Sequence, residues 1–242
     1  CALPISRELT YREGTVTARG HKVALHDDGE KFYTLGERWH EPLHDMDIIL
    51  LRQDPPFEMT YLSTTYLLEQ VMNEALVINN PVAVRNFPEK IFPTLFEQYM
   101  PPTLITADVA AIEDFRRDVG DIILKPLYGY GGRAVLRIKP DDQNFHSLME
   151  MMFAEKAEPV VVQRFLPEVA SEDKRVVFID GEVAGVLGRI PASDDVRANM
   201  RVGGTPAKAT LSPKQHAICD ELGEILREEG LLLAGVDLIG DY

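Results

Sequence analysis

Cysteine is nearly missing from this sequence. Only Cys1 and Cys219 occur among 242 residues, too few for a disulfide framework, so a reducing, cytoplasmic setting is the expectation. Cys219 lies in a helix-like stretch, "SPKQHAICDELGEILREEG", and reads as a small buried residue. Basic residues are also in short supply: 25 Lys and Arg face 39 Asp and Glu, for a formal net charge of -14. That balance excludes a general nucleic-acid partner, which needs a basic face for phosphates. It leaves room for a local basic groove around a small anionic ligand. Long apolar runs are absent as well. None approaches the ~20 residues that cross a bilayer, and no basic amphipathic helix suggests a membrane surface, so no membrane partner is expected. The histidines (His21, His26, His40, His44, His146 and His216) are scattered, without the grouping of a zinc site. There is no nucleophile elbow, no internal repeat and no low-complexity tract.

The ends are unusual. The opening "CALPIS" has no methionine and does not resemble a signal peptide, and residues 1–6 are given no functional weight. The closing "LLLAGVDLIGDY" stops just past what reads as a buried central strand, which needs neighbours to satisfy it. Both ends therefore read as those of a fragment.

What is present is ordinary globular protein: 45% hydrophobic and 26% charged residues, enough for one large domain or two modest ones. "DIILL" at 47–51 is a short buried-strand run, and "EMTYLSTTYLLEQVMNEA" has a helical stripe through Leu62, Tyr66, Glu69 and Met72, widened by Leu68, Val71 and Ala75. "LVIN" at 76–79 follows as a second strand, which makes a βαβ unit. "NFPEKIFPTLFEQYM" predicts a helix capped by Asn86 with Pro88 in its first turn. "TLIT" is a strand and "ADVAAIEDFRRDVG" a helix stopped by Gly120. Strands follow in "DIILK", "RAVLRI", "PVVVQRF", "KRVVFID" and "VAGVLGRI", the last two joined by a hairpin at Asp180-Gly181. Helices fill 142–156 and 213–229, and "PASDDVRANMRVGGTP" at 191–206 lacks periodicity and reads as a long loop.

Four stretches carry chemistry. In "IILKPLYGYGGRAVLRI" a lysine, Lys125, ends an apolar strand just before a glycine-rich loop. Glycines let backbone N–H groups close over phosphate oxygens, and a strand-end lysine supplies a fixed charge to them. A glycine-rich hairpin with a surface lysine fits that stretch equally well. "VVVQRFLPE" ends in Gln163-Arg164-Phe165-Leu166, which could hinge against an adenine edge or simply run into a turn. Asp173-Lys174-Arg175 and Arg189 place two arginines at the ends of adjacent strands, able to share a cleft, although strand-end arginines are commonly just solvated. In "GVDLIGD", Asp237 is an acidic residue inside an apolar strand, costly unless paired or ligating a metal, while Asp241 reads as a turn residue.

The order in which these occur is distinctive: Lys90 in "PEK", Lys125 in "ILKP", then "GYGG", "QRFL", "DKR", "GRI" and "GVDLIGD". It resembles the ATP-grasp ligases. Within them, "LLRQDPPF" together with "INNPVAVRNFPEKIF" and "ILKPLYGYGGRAVLRI" is similar to the bacterial glutathione synthetases, from about residue 42 nearly to the C-terminus. The resemblance implies an α/β (α+β) fold: a partial N-terminal βαβ (pre-ATP-grasp) domain over 1–83, then an ATP-grasp domain over 84–242, incomplete at its C-terminus, whose two subdomains clamp the nucleotide. It implies ATP and Mg²⁺, with Mn²⁺ as a substitute, and ATP-dependent ligation of γ-glutamylcysteine with glycine through an acyl phosphate. A homo-oligomer is implied too.

Residue by residue, the resemblance gives Lys90 and Lys125 the ATP phosphates and Gly129, Tyr130, Gly131 and Gly132 the covering loop. Gln163, Arg164, Phe165 and Leu166 match the adenine hinge, and Asp173 the ribose contact. Arg175 and Arg189 match residues at the acyl-phosphate centre, Arg52 falls in the dipeptide-binding segment, and Arg197, Asn199, Gly203 and Gly204 lie in a loop that closes over the site and keeps water from the acyl phosphate. Asp237 matches the first Mg²⁺ carboxylate; the family's further Glu and Asn metal ligands fall beyond Tyr242, so this piece alone is expected not to ligate. Arg133 stands where the family has a small residue. The alternatives are another carboxylate–amine ligase, of the D-alanine or amino-acid-adding kind, and a regulatory module that holds ATP without ligating.

Overall fold

The computed structural model describes residues 2–27, 32–154, 158–192 and 203–242. The chain forms two compact units, residues 1–86 with 229–232, and residues 87–228 with 233–242.

The first unit opens with three strands that the sequence reading did not foresee. β1 (Ala2–Arg12), β2 (Thr15–Leu25) and β3 (Tyr33–Pro42) form an antiparallel sheet in that order. The β1–β2 turn is made by Glu13 and Gly14, and the alternation of β2 sends Val16 and Ala18 into a core with Leu43, Leu68, Val71 and Val77. The expected βαβ unit follows. β4 (Ile48–Leu50) and β5 (Leu76–Ile78) pair in parallel, Ile48 opposite Leu76 and Leu50 opposite Ile78, around α1 (Met59–Glu69). The helix is shorter than its apolar stripe suggests. Past Glu69 it tightens into turns in which Val71 N–H bonds Leu68 O at 3.2 Å and Glu74 N–H bonds Val71 O at 3.1 Å. Its inward face carries Thr64, Thr65 and Leu68, while Tyr66 is half exposed beneath the Arg85 guanidinium, 4.3 Å from its ring centre. The next helix also differs from expectation. α2 (Pro81–Asn86) is capped by Asn80, whose Oδ1 accepts from Val82 N–H at 2.9 Å, so Asn86 is its last residue and not a cap.

In the second unit, residues Phe92–Tyr99 form a 3₁₀ run kinked at Phe96 instead of an α-helix. β6 (Thr103–Thr106) leads to α3 (Val109–Val119), capped by Asp108 and closed at Gly120. β7 (Ile122–Pro126), β8 (Leu136–Ile138), α4 (Phe145–Phe153) and β9 (Val160–Arg164) complete a four-stranded antiparallel sheet in the order β6–β9–β7–β8. One face buries Ile122, Leu124, Ile138, Val160 and Val162 against Ile112, Phe145 and Met149 of the two helices. The other face is left for Lys125, Arg137 and Gln163 by the period of two.

After the short α5 (Val169–Glu172), β10 (Asp173–Ile179) and β11 (Glu182–Ile190) form the foreseen hairpin, with Asp180 and Gly181 both at positive φ (51° and 75°). β12 (Thr205–Lys208), α6 (Pro213–Glu228) and β13 (Leu233–Ile239) complete an antiparallel sheet ordered β12–β11–β10–β13. Thr205 and Pro206, expected in the long loop, are therefore strand residues opposite Ile190 and Arg189. Residues 193–202 of that loop lie outside the described residues. Among the described residues β13 pairs only with β10. α6 lies on one face of this sheet: Lys174 Nζ donates to Gln215 Oε1 at 2.8 Å, and Gln215 Nε2 donates to Gly240 O at 2.6 Å. Among the described residues no helix is long and apolar enough to cross a membrane.

Candidate functional site

The open face of the first sheet in the second unit gathers the predicted cations. Lys125 Nζ donates to Gln163 Oε1 at 2.6 Å, Gln163 Nε2 to Thr103 Oγ1 at 2.9 Å, and Thr103 Oγ1 to Pro101 O at 2.7 Å. A relay anchored on backbone thus fixes the ammonium. Lys90 Nζ donates to Gly129 O at 2.5 Å and to Glu89 Oε1 at 3.1 Å, which ties the lysine of "PEK" to the glycine loop. Burial, and then the charge of Lys90, push the Lys125 ammonium below the usual lysine range, against the pull of Asp237, Glu89 and Asp173. A lysine whose hydrogen bond goes to a neutral amide, beside a second lysine, is held ready for an anion.

The loop after β7 turns through Gly131 and Gly132 at φ 60° and 76°, with Ala134 at 52°. Side chains other than glycine rarely adopt such values, so the two glycines are what the path requires. Arg133 N–H bonds Tyr130 O at 3.2 Å. At the end of β9, Arg164 N–H bonds Pro102 O at 3.0 Å and Phe165 N–H bonds Asp121 O at 2.8 Å. Arg164 Nη2 also reaches the Tyr242 hydroxyl at 2.9 Å, and Leu166 is buried. Of the hinge candidates, Gln163 turns its side chain to Lys125.

The second sheet brings four charges together on the face opposite α6. Register sets Asp173 opposite Arg189, and Arg175 opposite Asp237. Arg189 Nε and Nη2 bond Asp173 Oδ1 at 2.7 and 2.5 Å, and Nη2 lies 3.0 Å from Asp237 Oδ1. Arg175 grips Asp237 with both ends of its fork, Nε at 2.5 Å and Nη2 at 3.0 Å. Asp173 and Arg189 are buried, at 6% exposure each. Burial pushes the Asp173 carboxyl up despite Arg189. For Arg189 burial works to lower the pKa, but Asp237 and Asp173 prevail and raise it.

One expectation needs correction. Asp237 is not buried: its side chain is 39% exposed. Asp173, given to the ribose by resemblance, faces Arg189 in this structure. Arg52 is exposed in the first unit, just past β4. Gly203 and Gly204 immediately precede β12, and Arg197 and Asn199 lie outside the described residues. Cys219 has His216 one helical turn before it, yet it is buried and burial pushes its thiol up to about 11, so it is no nucleophile at neutral pH. Sequence reasoning missed Asp121 and Arg137, which brace Phe165. The available signal was the position of Arg137 between Leu136 and Ile138, which turns it to the open face.

The fold is of the ATP-grasp class. The D-cycloserine synthetase DcsG superposes with a TM-score of 0.63 at 17% identity, over 81% of this chain and 72% of its own. The ATP-grasp ligase PsnB, solved with a phosphomimetic precursor variant, Mg and ADP, gives 0.55 at 20% identity over 91% and 72%. At these identities the likeness speaks for the fold alone. Residues 89–242 match the model of the prokaryotic glutathione synthetase ATP-grasp domain, and residues 4–85 that of the same family's N-terminal domain. The chain belongs to the prokaryotic glutathione synthetase family. It is 50% identical over 234 residues to the glutathione synthetase of Brucella melitensis, 47% to that of Mesorhizobium japonicum and 40% over 238 residues to that of Pseudomonas putida. These matches cover 97–98% of this chain and 75% of each relative. Similarity therefore begins at about residue 4, not 42, and takes in β1–β3.

Proposed function

We propose that this chain serves the ATP-dependent ligation of γ-glutamylcysteine with glycine, giving glutathione, ADP and phosphate through an acyl phosphate. The observation that carries the reading is the Lys90–Lys125 pair. Lys125, bonded to a neutral amide and with its charge opposed by burial and by Lys90, suits a polyanion such as a triphosphate. The ATP phosphates go to Lys90 and Lys125 beneath Gly129, Tyr130, Gly131 and Gly132. The base goes to the hinge from Gln163 to Leu166.

Arg175 and Arg189 neutralise the reacting carboxylate, which otherwise repels the triphosphate. Asp173, matched to the ribose contact, also holds Arg189 in place. Arg52 is assigned to the dipeptide, and Arg197, Asn199, Gly203 and Gly204 to covering the acyl phosphate. Among the described residues no group of three or more His, Cys, Asp or Glu side chains could hold a metal by itself. Mg²⁺ takes one or two carboxylates beside substrate phosphates, which Asp237 fits as a single ligand. When bound, the cation, Mg²⁺ or Mn²⁺, neutralises phosphate charge. A homo-oligomer in the cytoplasm completes the reading.

The test is formation of ADP by the protein that carries this sequence, with each substrate omitted in turn. Glutathione and ADP formed together, with both γ-glutamylcysteine and glycine required, are the expected result. ATP binding without ADP formation under any acceptor favours a nucleotide-holding module, and product from D-alanine favours the other ligase class.

A further inference from the structure

Arg137 has no part in the reading above, yet it is one of the most tightly held side chains on the open face. Its Nε lies 3.2 and 3.1 Å from the two Asp121 carboxylate oxygens, and its Nη2 donates to Oδ2 at 2.6 Å. Its guanidinium carbon stands 3.7 Å from the centre of the Phe165 ring. Asp121 acts a second time: its backbone carbonyl accepts the Phe165 N–H at 2.8 Å. Residue 165 is thereby held twice, by its amide through Asp121 and by its ring through Arg137. The ion pair is about one-third exposed, so its Coulomb attraction alone is worth little. What an arginine adds is geometry: a planar, weakly hydrated group can fork onto a carboxylate and lie flat on an aromatic ring together.

We propose that Asp121 and Arg137 form the positioning pair of the hinge. By fixing Phe165 from the residue before β7 and from β8 they set where the backbone edge of Phe165 and Leu166 stands, and with it how tightly and selectively a nucleobase is held. The inference rests on the reading of residues 163–166 as the base-binding hinge.

Calorimetric titration of the full chain with ATP, GTP and inorganic tripolyphosphate separates the base from the phosphates. Arg137→Met should weaken ATP about tenfold, narrow the preference for ATP over GTP, and leave tripolyphosphate within about twofold. Arg137→Lys should fail to restore ATP binding, because one ammonium cannot both fork and stack. An equal loss for ATP and tripolyphosphate, with a lowered melting temperature, would reduce the pair to a structural brace and overturn the proposal. Hydrogen exchange on the wild type tells the two readings apart. ATP should slow exchange at the amides of residues 163–166. If it does not, the hinge reading fails and the proposal goes with it. If it does, and Arg137→Met binds ATP normally, the hinge stands and the positioning role alone is refuted.

Discussion

Replacing Gly223 by alanine sets two effects of known size against each other. Glycine inside a helix costs roughly 1 kcal/mol relative to alanine, so helix propensity alone predicts that Gly223→Ala stabilises α6. Packing predicts the reverse. Gly223 is buried in α6 against the Asp180-Gly181 turn, and a methyl group there would overlap the Gly181 carbonyl oxygen and come within 3.1 Å of its carbon. The obstacle is backbone, which cannot swing aside as a side chain does. Gly181 is pinned at φ 75° in a two-residue turn, and the Asp180 carbonyl accepts Arg227 Nε at 2.9 Å. Overpacking of this kind costs about 1–3 kcal/mol, and a rigid obstacle puts it at the upper end. The net expectation is a loss of about 1–2 kcal/mol once the propensity gain is subtracted.

Urea unfolding measures this directly, with Gly185→Ala as the control. A methyl group at Gly185, on the same hairpin, meets nothing within 4 Å. That change should be neutral or stabilise by up to about 1 kcal/mol through the unfolded chain. Gly223→Ala as stable as the wild type, or more so, would refute the close approach of α6 to the turn. The outcome bears on function, because α6 backs the sheet whose register sets Asp173 opposite Arg189.

Lys125→Met should weaken ATP about 10–100-fold in a binding titration, the effect of losing one charge-assisted contact, and unchanged affinity would put Lys125 outside the site. The same change should raise the stability of the nucleotide-free protein. Burial lowers the Lys125 pKa, so charging it costs stability below that lowered value, and the cost fades as pH rises toward the ordinary 10.5; the gain of methionine over lysine should shrink over that window. Arg189→Met leaves the Asp173 carboxylate buried without its guanidinium and should cost about 3–5 kcal/mol in urea unfolding, partly recovered by adding Asp173→Asn. Because burial raises the Asp173 pKa, the penalty grows as pH rises through that pKa, so the loss should be smaller at about pH 4 than at about pH 8. A loss independent of pH would mean that packing, and not the buried charge, dominates.

The fold was legible wherever one short stretch held its own start and stop signals. Asp108 and Gly120 bracket α3, Asp180-Gly181 closes the hairpin, and apolar runs flank α1 as strands. Two failures have physical causes. β1–β3 were not foreseen; β3 has no buried residue, and a strand without a buried face has no alternation to read. β2 does alternate at Val16 and Ala18, and Glu13-Gly14 was a usable turn signal. The misplaced cap has another origin. Asn80 and Asn86 both stand shortly before a proline, and either could cap a helix. Local chemistry allows both, and tertiary packing decides.

For the site, residue type and order were readable because strand ends are where side chains can face a cleft, but partners were not. Arg175 and Asp237 are 62 positions apart and meet only because β10 and β13 pair in one register. That register changes what the charges do. Two carboxylates and two guanidiniums on one face, Asp173, Arg189, Arg175 and Asp237, pair with one another and so offset much of one another's charge. Lys125 on the other sheet bonds a neutral amide and is pushed down by burial and by Lys90, while Asp237, Glu89 and Asp173 pull the other way; Lys90, in the turn before the 3₁₀ run, pairs with Glu89. In the function proposed above, attraction of the triphosphate therefore falls to the lysines. Under the same proposal, the arginines turn to a substrate carboxylate by loosening their grip on Asp237, so a cation at that carboxylate and the substrate carboxylate at the arginines would favour each other. Arg175 is the arginine freer to move, since its side chain is 39% exposed against 7% for Arg189.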